Sequence, residues 1–292
     1  AAFDEGASQQ EVFADCAELV RSALDGHNVA IIAYGQTGAG KTHMLIGGCG
    51  QDGICLLAIN EIFGAVGKRH DAMAYTVRAS MFELHGASVT DLLAREDGAE
   101  IKVHWDRDDG AVAVESASEE RCAGAEDLRA LVVRGQEARR LLQTAAHRGQ
   151  SDSHGMLFVS IEGVHKDSGK QVRSKVAFVD LAGAERARQA KFPVSRQADA
   201  SQVRQSLAAL ADLVEAKAQS RADRRDGRPM TLAQCRTHPL SQLLHDFFGA
   251  NSKALLIANV SPAGSCFSET LSSLRYVMRA KYVENQGPAA GS

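Results

Sequence analysis

The stretch IIAYGQTGAGKTHM, residues 31–44, constrains the fold of this chain more than any other segment. An apolar run enters a turn that reads G-x-x-x-x-G-K-T from Gly35 to Thr42, and a helical pattern follows it. A strand, this turn and a helix in that order are typical of a phosphate-binding loop, because the glycines let backbone N–H groups face an anion. The alternative is a glycine-rich turn with a lysine by coincidence. The strand, the spacing and the helix together favour nucleotide binding.

The side chains around this loop suit a nucleotide that carries Mg²⁺. Lys41 would place a positive charge near the β and γ phosphates, and Thr42 would offer its hydroxyl to the metal. A second apolar strand, in FVDLAG, ends at Asp180, where an aspartate can hold Mg²⁺ through its water shell. Gly183 follows with a bare amide for the γ-phosphate. An aspartate that only ends a strand is common by itself, but the phosphate loop favours the metal-holding role.

Apolar runs typical of buried strands alternate with helical patterns along the chain. The strand-like runs cover residues 28–34, 75–84, 155–165, 174–183 and 253–262. The helical patterns cover residues 8–26, 127–143, 201–219 and 268–285. Strands that alternate with helices predict an α/β fold with a largely buried central sheet.

Composition narrows the classes of partner. The formal net charge is −3 and the pI is about 6.4, so a polyanion could bind only through a local patch, and we expect no nucleic acid partner. The six cysteines contain no C-x-x-C pair, which favours free thiols in a reducing compartment. No run approaches the roughly 18 apolar residues of a membrane span, and no apolar leader opens the chain. We therefore expect a soluble, intracellular protein.

Several motifs resemble the kinesin motor domain. These are AYGQTGAGKTHM for the phosphate loop, VDLAGAE for the second switch, SLAALADLVEA for the next helix, LLHDFFGANSKALLIANVSPA for a late strand, and ETLSSLRYVMRAKYVEN for the last helix. The resemblance runs from about residue 8 to residue 285. The stretch RHDAMAYTVRASMFELHGASVTDLL is most similar to the C-terminal-motor, minus-end-directed kinesins, including the calmodulin-binding type.

This resemblance implies one motor domain over residues 1–285, followed by a flexible tail over residues 286–292. It implies a P-loop NTPase fold with a mostly parallel central sheet of about eight strands flanked by helices. Kinesins open with a central strand whose Arg-Pro pair packs against adenine, and this chain begins after that strand. We therefore expect an N-terminally incomplete domain, because a missing central strand leaves sheet edges unpaired.

The family's functional residues carry over to matching positions. The nucleotide, ATP or ADP, would be bound by Gly35, Gln36, Thr37, Gly38, Ala39, Gly40, Lys41, Thr42 and His43, the last beside adenine. Mg²⁺ would be held by Thr42, Ser151 and Asp180, and the catalytic set would be Ser151, Gly183 and Glu185. The microtubule would be faced by Arg204, Lys217, Arg221, Arg224, Arg225 and Arg236.

The first switch departs from the family pattern N-x-x-S-S-R-S-H, because residues 147–154 read HRGQSDSH. Asp152 replaces the arginine that pairs with the glutamate of the second switch, here Glu185. Two like charges would then oppose closure of the switches and slow hydrolysis more than they weaken binding. The alternative is that a nearby residue compensates, with Arg148 as one candidate.

The filament-facing motifs have also changed, and they leave two functions open. VRQSL stands where the family has INKSL, and Pro239 and Gln242 replace two cations. The basic run at residues 217–228 is either a tubulin contact or a solvated surface. One hypothesis is an ATP-hydrolysing motor on microtubules in the cytoplasm. The other is a non-motile, nucleotide-holding module docked on microtubules or on axonemal or other cytoskeletal proteins. A GTPase lacks support, since no NKxD motif is present.

Overall fold

The computed structural model describes residues 1–48, 50–95, 99–105, 112–145, 152–187, 194–219, 238–249 and 251–280. In this part of the chain the helices are α1 (Gln9–Arg21), α2 (Lys41–Leu45), α3 (Ile54–Lys68), α4 (Ala125–Ala145), α5 (Val194–Gln219), α6 (Pro239–Leu244) and α7 (Phe267–Ala280). The strands are β1 (Asn28–Gly35), β2 (Gly47–Gly48), β3 (Gln51–Asp52), β4 (Met73–His85), β5 (Ser88–Asp91), β6 (Glu100–Trp105), β7 (Val112–Glu115), β8 (Glu120–Cys122), β9 (His154–His165), β10 (Gln171–Asp180) and β11 (Ser252–Asn259). Each strand and helix predicted from the sequence overlaps one of these elements.

The main sheet has the order β11-β1-β10-β9-β4-β5-β6-β7, and β8 pairs with β4. Strand β1 is parallel to both of its neighbours, β10 and β11. The other described pairs of this sheet are antiparallel. The predicted α/β fold is confirmed, but the sheet is mixed, and the expectation of a mostly parallel sheet is wrong. Short links such as the one from β9 to β10 can join only antiparallel neighbours, whereas parallel strands need a long crossover.

Strand β1 lies between two hydrophobic layers and is buried on both faces. Ile31 packs into the layer beneath α1, α3 and α4, and Ile32 packs into the layer beneath α5 and α6. Successive side chains of a strand point to opposite faces, so this alternation follows from the backbone geometry. A strand that is covered on both faces has a continuous apolar sequence, which explains why the apolar run at residues 28–34 predicts this strand.

Helix α1 begins with an N-cap at Ser8. The Ser8 hydroxyl accepts a hydrogen bond from the Glu11 N–H, and the Glu11 carboxylate accepts one from the Ser8 N–H, which is a capping box. The helix ends at Arg21, and a 3₁₀ turn, Ser22–Asp25, leads to Gly26 in the left-handed conformation at φ 95°. Glycine has no Cβ to oppose that conformation, so it ends the helical run.

Strand β11 forms one edge of the main sheet and pairs with β1 along its whole length. Leu256 and Ile257 of β11 are half-buried, whereas their β1 partners Ile32 and Ala33 are buried. The described part of the chain therefore leaves the outer edge of β11 open. Among the described residues, no helix combines the length and the apolar character needed to cross a bilayer.

Candidate nucleotide site

The phosphate loop leaves the carboxyl end of β1, next to the carboxyl end of β10. Ala33 pairs with Asp180 in the parallel register, so Asp180 ends its strand close to where the loop begins. The Thr42 hydroxyl, at the start of α2, donates to the Asp180 carboxylate with an Oγ1–Oδ2 distance of 2.7 Å. The structure thus brings together, from positions far apart in the chain, two of the three residues that the sequence proposed for Mg²⁺.

Two glycines of the loop have different physical reasons to be glycine. A Cβ on Gly35 would lie 2.0 Å from the Asn259 carbonyl oxygen, so the close approach of β11 excludes any side chain there. Gly40 has φ 89°, and a Cβ on it would meet nothing within 4 Å. Gly40 is therefore required for its left-handed backbone conformation, and the space beside it is open.

Lys41 is buried at 8% exposure and lies inside the loop. Its Nζ donates to the carbonyl oxygens of Gly35 and Gln36, each at 2.9 Å. Burial lowers the pKa of Lys41, because it disfavours the charged form, while the Asp180 and Glu185 carboxylates act in the opposite direction. The ammonium group is therefore held at the loop by backbone oxygens with two carboxylates nearby.

A buried arginine of α4 joins Asp180 to the adjoining part of the sheet. Arg139 Nη1 lies 3.1 Å from Asp180 Oδ2, and Arg139 Nε lies 3.4 Å from Glu83 Oε1 of β4. These three side chains are 5–6% exposed. Asp180 Oδ1 is buried without a hydrogen-bond partner, so one oxygen of this carboxylate is available to another ligand.

The end of the first switch is anchored to the same network. The Ser153 hydroxyl donates to Glu83 Oε1 at 2.6 Å, and Gln143 Nε2 donates to the same oxygen at 2.8 Å. Arg139 Nη2 also donates to the Ser153 carbonyl oxygen at 3.1 Å. Buried hydrogen bonds of this kind hold a segment in one position.

His154 connects the first switch to the second switch and to α5. Its Nδ1 accepts from the Ala182 N–H at 3.1 Å, so its Nε2 carries the proton and donates to the Ser206 hydroxyl at 2.7 Å. That hydroxyl in turn donates to the Val203 carbonyl oxygen. Burial lowers the pKa of His154 to about 3, so the ring is neutral at physiological pH.

The second switch lies directly against the phosphate loop. Glu185 is in the 3₁₀ turn Ala184–Ala187, and its carboxylate accepts from the Thr37 N–H at 2.9 Å and from the Thr37 hydroxyl. A Cβ on Gly183 would lie 2.3 Å from Thr37 Oγ1 and 2.6 Å from Glu185 Oε1. This arrangement therefore leaves no room for a side chain at position 183.

Asp152 does not face Glu185 alone, because Arg186 lies beside both. Arg186 Nη2 is 3.3 Å from Asp152 Oδ1, and Arg186 Nε is 3.4 Å from Glu185 Oε1. The two carboxylates therefore do not face each other without a cation, because Arg186 of the second switch pairs with both, and the expected effect on switch closure and hydrolysis stays a prediction. Arg148, the candidate predicted for compensation, lies outside the described residues, as does Ser151.

Residues 1–283 match the family model described as the kinesin motor domain. The chain belongs to the kinesin motor-domain family. It is 35% identical to the kinesin-like protein KIN-14I of Oryza sativa subsp. japonica, over 97% of this chain and 22% of that protein. This chain thus spans about a fifth of the length of that relative. The KIN-14 designation is that of the C-terminal-motor kinesins, the subfamily that the sequence most resembles.

Solved kinesin structures share the fold. A structure of a fast kinesin, described for its ATPase mechanism and its interactions with microtubules, has a TM-score of 0.86 and 27% identity. The match covers 98% of this chain and 80% of that one. A KIF14 dimer with AMP-PNP, in complex with a microtubule, has a TM-score of 0.82 and 27% identity, with 98% and 81% coverage. The predicted P-loop NTPase fold is confirmed by these likenesses.

The remaining positions carried over from the kinesin family lie in several places. His43 is exposed, and its ring and carbonyl oxygen contact the Gln9 amide at 3.2 and 2.8 Å. Gln36 donates to the Cys266 sulfur at 3.1 Å. Arg204 is exposed on α5, and Lys217 belongs to the same helix. The other basic positions proposed to face the microtubule, Arg221, Arg224, Arg225 and Arg236, lie outside the described residues.

Sequence reasoning missed Arg139, Glu83 and Gln143, although a signal was present. The buried face of α4 carries Leu128, Leu131, Val132, Gly135, Arg139 and Gln143. Two polar residues therefore follow the apolar ones on the same face of a helix. A polar residue in that position must find buried partners, and a lone glutamate in the apolar run of β4 was the matching candidate.

Proposed function

We propose that this chain is a kinesin motor domain that binds Mg-ATP and Mg-ADP, hydrolyses ATP and binds microtubules, with hydrolysis coupled to movement along them. The observation that carries the proposal is the Thr42–Asp180 contact beside a phosphate loop in which Gly38 and Gly40 leave open space. Family membership supports it, as does the KIF14 likeness, which was solved with AMP-PNP and a microtubule.

The oxygen atoms at this position fit Mg²⁺. Thr42 Oγ1 and Asp180 Oδ2 are adjacent, and Asp180 Oδ1 is buried without a partner. Mg²⁺ prefers oxygen ligands and binds commonly through one or two protein groups, several waters and the substrate phosphates. Thr42 and Asp180 would therefore hold it, with Ser151 proposed as a third ligand. When bound, the ion neutralises charge on the β and γ phosphate oxygens.

The residues of the chain have distinct proposed roles in binding and turnover. The backbone from Gly35 to Thr42 would bind the phosphates, and Lys41 would add its charge beside them. Gly183 would bring its amide to the γ-phosphate, and Glu185 would position the second switch at Thr37. Catalysis of phosphoryl transfer depends mainly on such positioning and on electrostatics, so small displacements of these groups affect the rate strongly.

The test measures nucleotide binding and turnover on the purified, folded chain. We expect saturable binding of a fluorescent ADP analogue and phosphate release that rises when microtubules are added. Lys41→Ala should weaken binding, whereas Lys68→Ala, which removes an exposed lysine at the end of α3, should not. A folded protein that binds neither ADP nor ATP would refute the proposal, as would a Lys41→Ala variant that binds like the wild type.

A second candidate is the non-motile module that holds its nucleotide and docks on microtubules or on axonemal proteins. The absence of the family's switch arginine favours it, because Asp152 stands at that position. This candidate predicts nucleotide that copurifies with the chain and exchanges slowly, with microtubule binding but no stimulated phosphate release. It would place the protein at an axoneme, whereas the motor would act on cytoplasmic microtubules. Fast exchange with stimulated turnover would exclude it.

A further inference from the structure

We propose that Arg186 is a positioning residue that connects the two switches through Asp152 and fixes the Glu185 carboxylate at the phosphate loop. In this chain the cation of the switch contact comes from the second switch and the anion from the first, the reverse of the family arrangement. The proposal deepens the proposed function and rests on it, because its functional consequence concerns ATP turnover.

The contacts form a continuous path between the two switches and the loop. Arg186 reaches Asp152 Oδ1 with Nη2 at 3.3 Å and Glu185 Oε1 with Nε at 3.4 Å. Glu185 then accepts hydrogen bonds from the backbone and hydroxyl of Thr37. A guanidinium can serve two carboxylates at once, because its donors lie on separate edges of one plane.

Burial makes this charge arrangement consequential. The side chains of Asp152, Arg186 and Glu185 are 4%, 10% and 13% exposed. At such sites, water screens charges poorly, and two uncompensated carboxylates would repel each other. Without the guanidinium, Glu185 would lose the group that links it to Asp152, and it would keep its hydrogen bonds from Thr37 and the nearby charge of Lys41.

The first switch supplies a fixed point for this contact. Asp152 directly precedes Ser153 and His154, and both are anchored by buried hydrogen bonds, to Glu83 and to Ser206. Arg186 therefore connects the 3₁₀ turn of the second switch to a segment that α4, α5 and β4 already hold in place. Because Arg186 pairs with this fixed segment, it also restricts the position of the turn that carries Glu185.

The proposal reverses the expected effect of restoring the family's arginine. If Asp152 simply repelled Glu185, Asp152→Arg would raise turnover. If Arg186 supplies the cation, Asp152→Arg places two guanidinium groups together and lowers turnover. The double variant Asp152→Arg/Arg186→Gln then provides one cation from the first switch beside Glu185, and it should regain turnover relative to either single variant.

The experiment compares Arg186→Gln, Asp152→Asn, both together, Asp152→Arg and the Asp152→Arg/Arg186→Gln pair. Arg140→Gln is the matched control, because Arg140 pairs with Glu137 on the exposed side of α4. Misplacement of positioned groups costs up to about 100-fold in rate, so we expect Arg186→Gln to lower kcat by at least about 10-fold. The affinity for a fluorescent ADP analogue should stay within about 3-fold of wild type, since the loop is retained.

Coupling separates a positioning role from a general packing role. Asp152→Asn should add less than about 2-fold to the effect of Arg186→Gln, because residues that act as one unit are not additive. If Arg186→Gln alone fails to fold, the Asp152→Asn/Arg186→Gln pair, which leaves one fewer buried carboxylate, takes its place. A folded variant of either kind with wild-type kcat would overturn the proposal, as would a rise in kcat with Asp152→Arg alone.

Hydrogen exchange on the same samples decides the inference independently of turnover. We expect Arg186→Gln and Asp152→Asn each to speed amide exchange in both residues 152–156 and residues 182–187, while Arg140→Gln changes neither. Exchange that changes in only one of these segments would refute the connection. If the variants show faster exchange in both segments but the wild-type chain binds no nucleotide, the proposed function is refuted and the switch contact remains established.

Discussion

Removal of the Arg139 side-chain charge tests how much the buried ion pairs beside the site contribute to the stability of the fold. Arg139 lies between Glu83 and Asp180, and all three side chains are 5–6% exposed. Arg139→Gln would leave two buried carboxylates without their shared cation. Breaking a buried ion pair in this way costs about 3–5 kcal/mol, because the remaining charge stays in a poorly solvated place.

That cost is large relative to the stability of a domain, which is typically about 5–15 kcal/mol. For a chain of this size, each 1 kcal/mol shifts the thermal midpoint by roughly 2–4 °C, so we expect a decrease of about 6–20 °C. The assay is thermal and urea unfolding followed by circular dichroism, with equal slopes in urea required for the comparison. Arg140→Gln is the control, because the neighbouring Arg140 is exposed and should leave the midpoint unchanged.

The electrostatic cause can be separated from loss of packing by a second variant. Glu83→Gln/Arg139→Gln removes one of the two orphaned carboxylates, and it should recover part of the lost stability relative to Arg139→Gln. If the double variant is less stable than Arg139→Gln, charge compensation is not the reason for the loss. A midpoint for Arg139→Gln within about 2 °C of wild type, less than 1 kcal/mol, would refute the reasoning altogether.

Three further predictions follow from the same geometry. Burial lowers the pKa of His154 to about 3 from an ordinary 6.5. The stabilisation that the folded state gains from the neutral ring is therefore fully present above pH 6.5 and decreases as the pH falls below 6.5. Below pH 6.5 the free energy of unfolding of the wild type, measured with urea, should fall by about 1.4 kcal/mol per pH unit more than that of His154→Gln. An equal pH dependence of the two proteins would contradict this. Gly183→Ala should lower kcat because its Cβ meets Thr37, while Gly64→Ala, with open space around its Cβ, should raise the unfolding midpoint slightly. Chelation of Mg²⁺ should weaken ADP binding by the wild type but not by Asp180→Asn, and equal weakening would remove Asp180 from the metal site.

The phosphate loop and its aspartate were predictable because both are local patterns at strand ends. Parallel pairing of β1 with β10 places those ends at the same edge, so the Thr42–Asp180 contact follows from two correct strand assignments. The directions of the outer strands were not predictable in the same way. Apolar periodicity identifies a strand but carries no information on its partner, and the short connection from β9 to β10 decided the antiparallel pairing.

The ionic contacts around the site required the tertiary structure. Arg139 meets Glu83 and Asp180 only because α4 packs against β4 and the end of β10 lies within reach of the same side chain, although β4 and β10 are far apart in the chain. Arg186 posed a different difficulty, because it directly follows Glu185 in sequence. Adjacent side chains on a strand or helix point apart, and only the 3₁₀ turn at residues 184–187 lets Arg186 serve both Glu185 and Asp152.

The balance of buried charge explains both the tolerance of Asp152 and the expectation of a metal. Among the described residues near the loop, the low-exposure cations are Lys41, Arg139 and Arg186, and the carboxylates are Glu83, Asp152, Asp180 and Glu185. These three positive and four negative groups leave one net negative charge among the described residues, and a further cation beside the carboxylates would reduce the cost of burying it. Asp180 Oδ1 is a buried carboxylate oxygen without a hydrogen-bond partner, so a cation could bind there. A divalent cation that arrives with a nucleotide would complete the set at that oxygen.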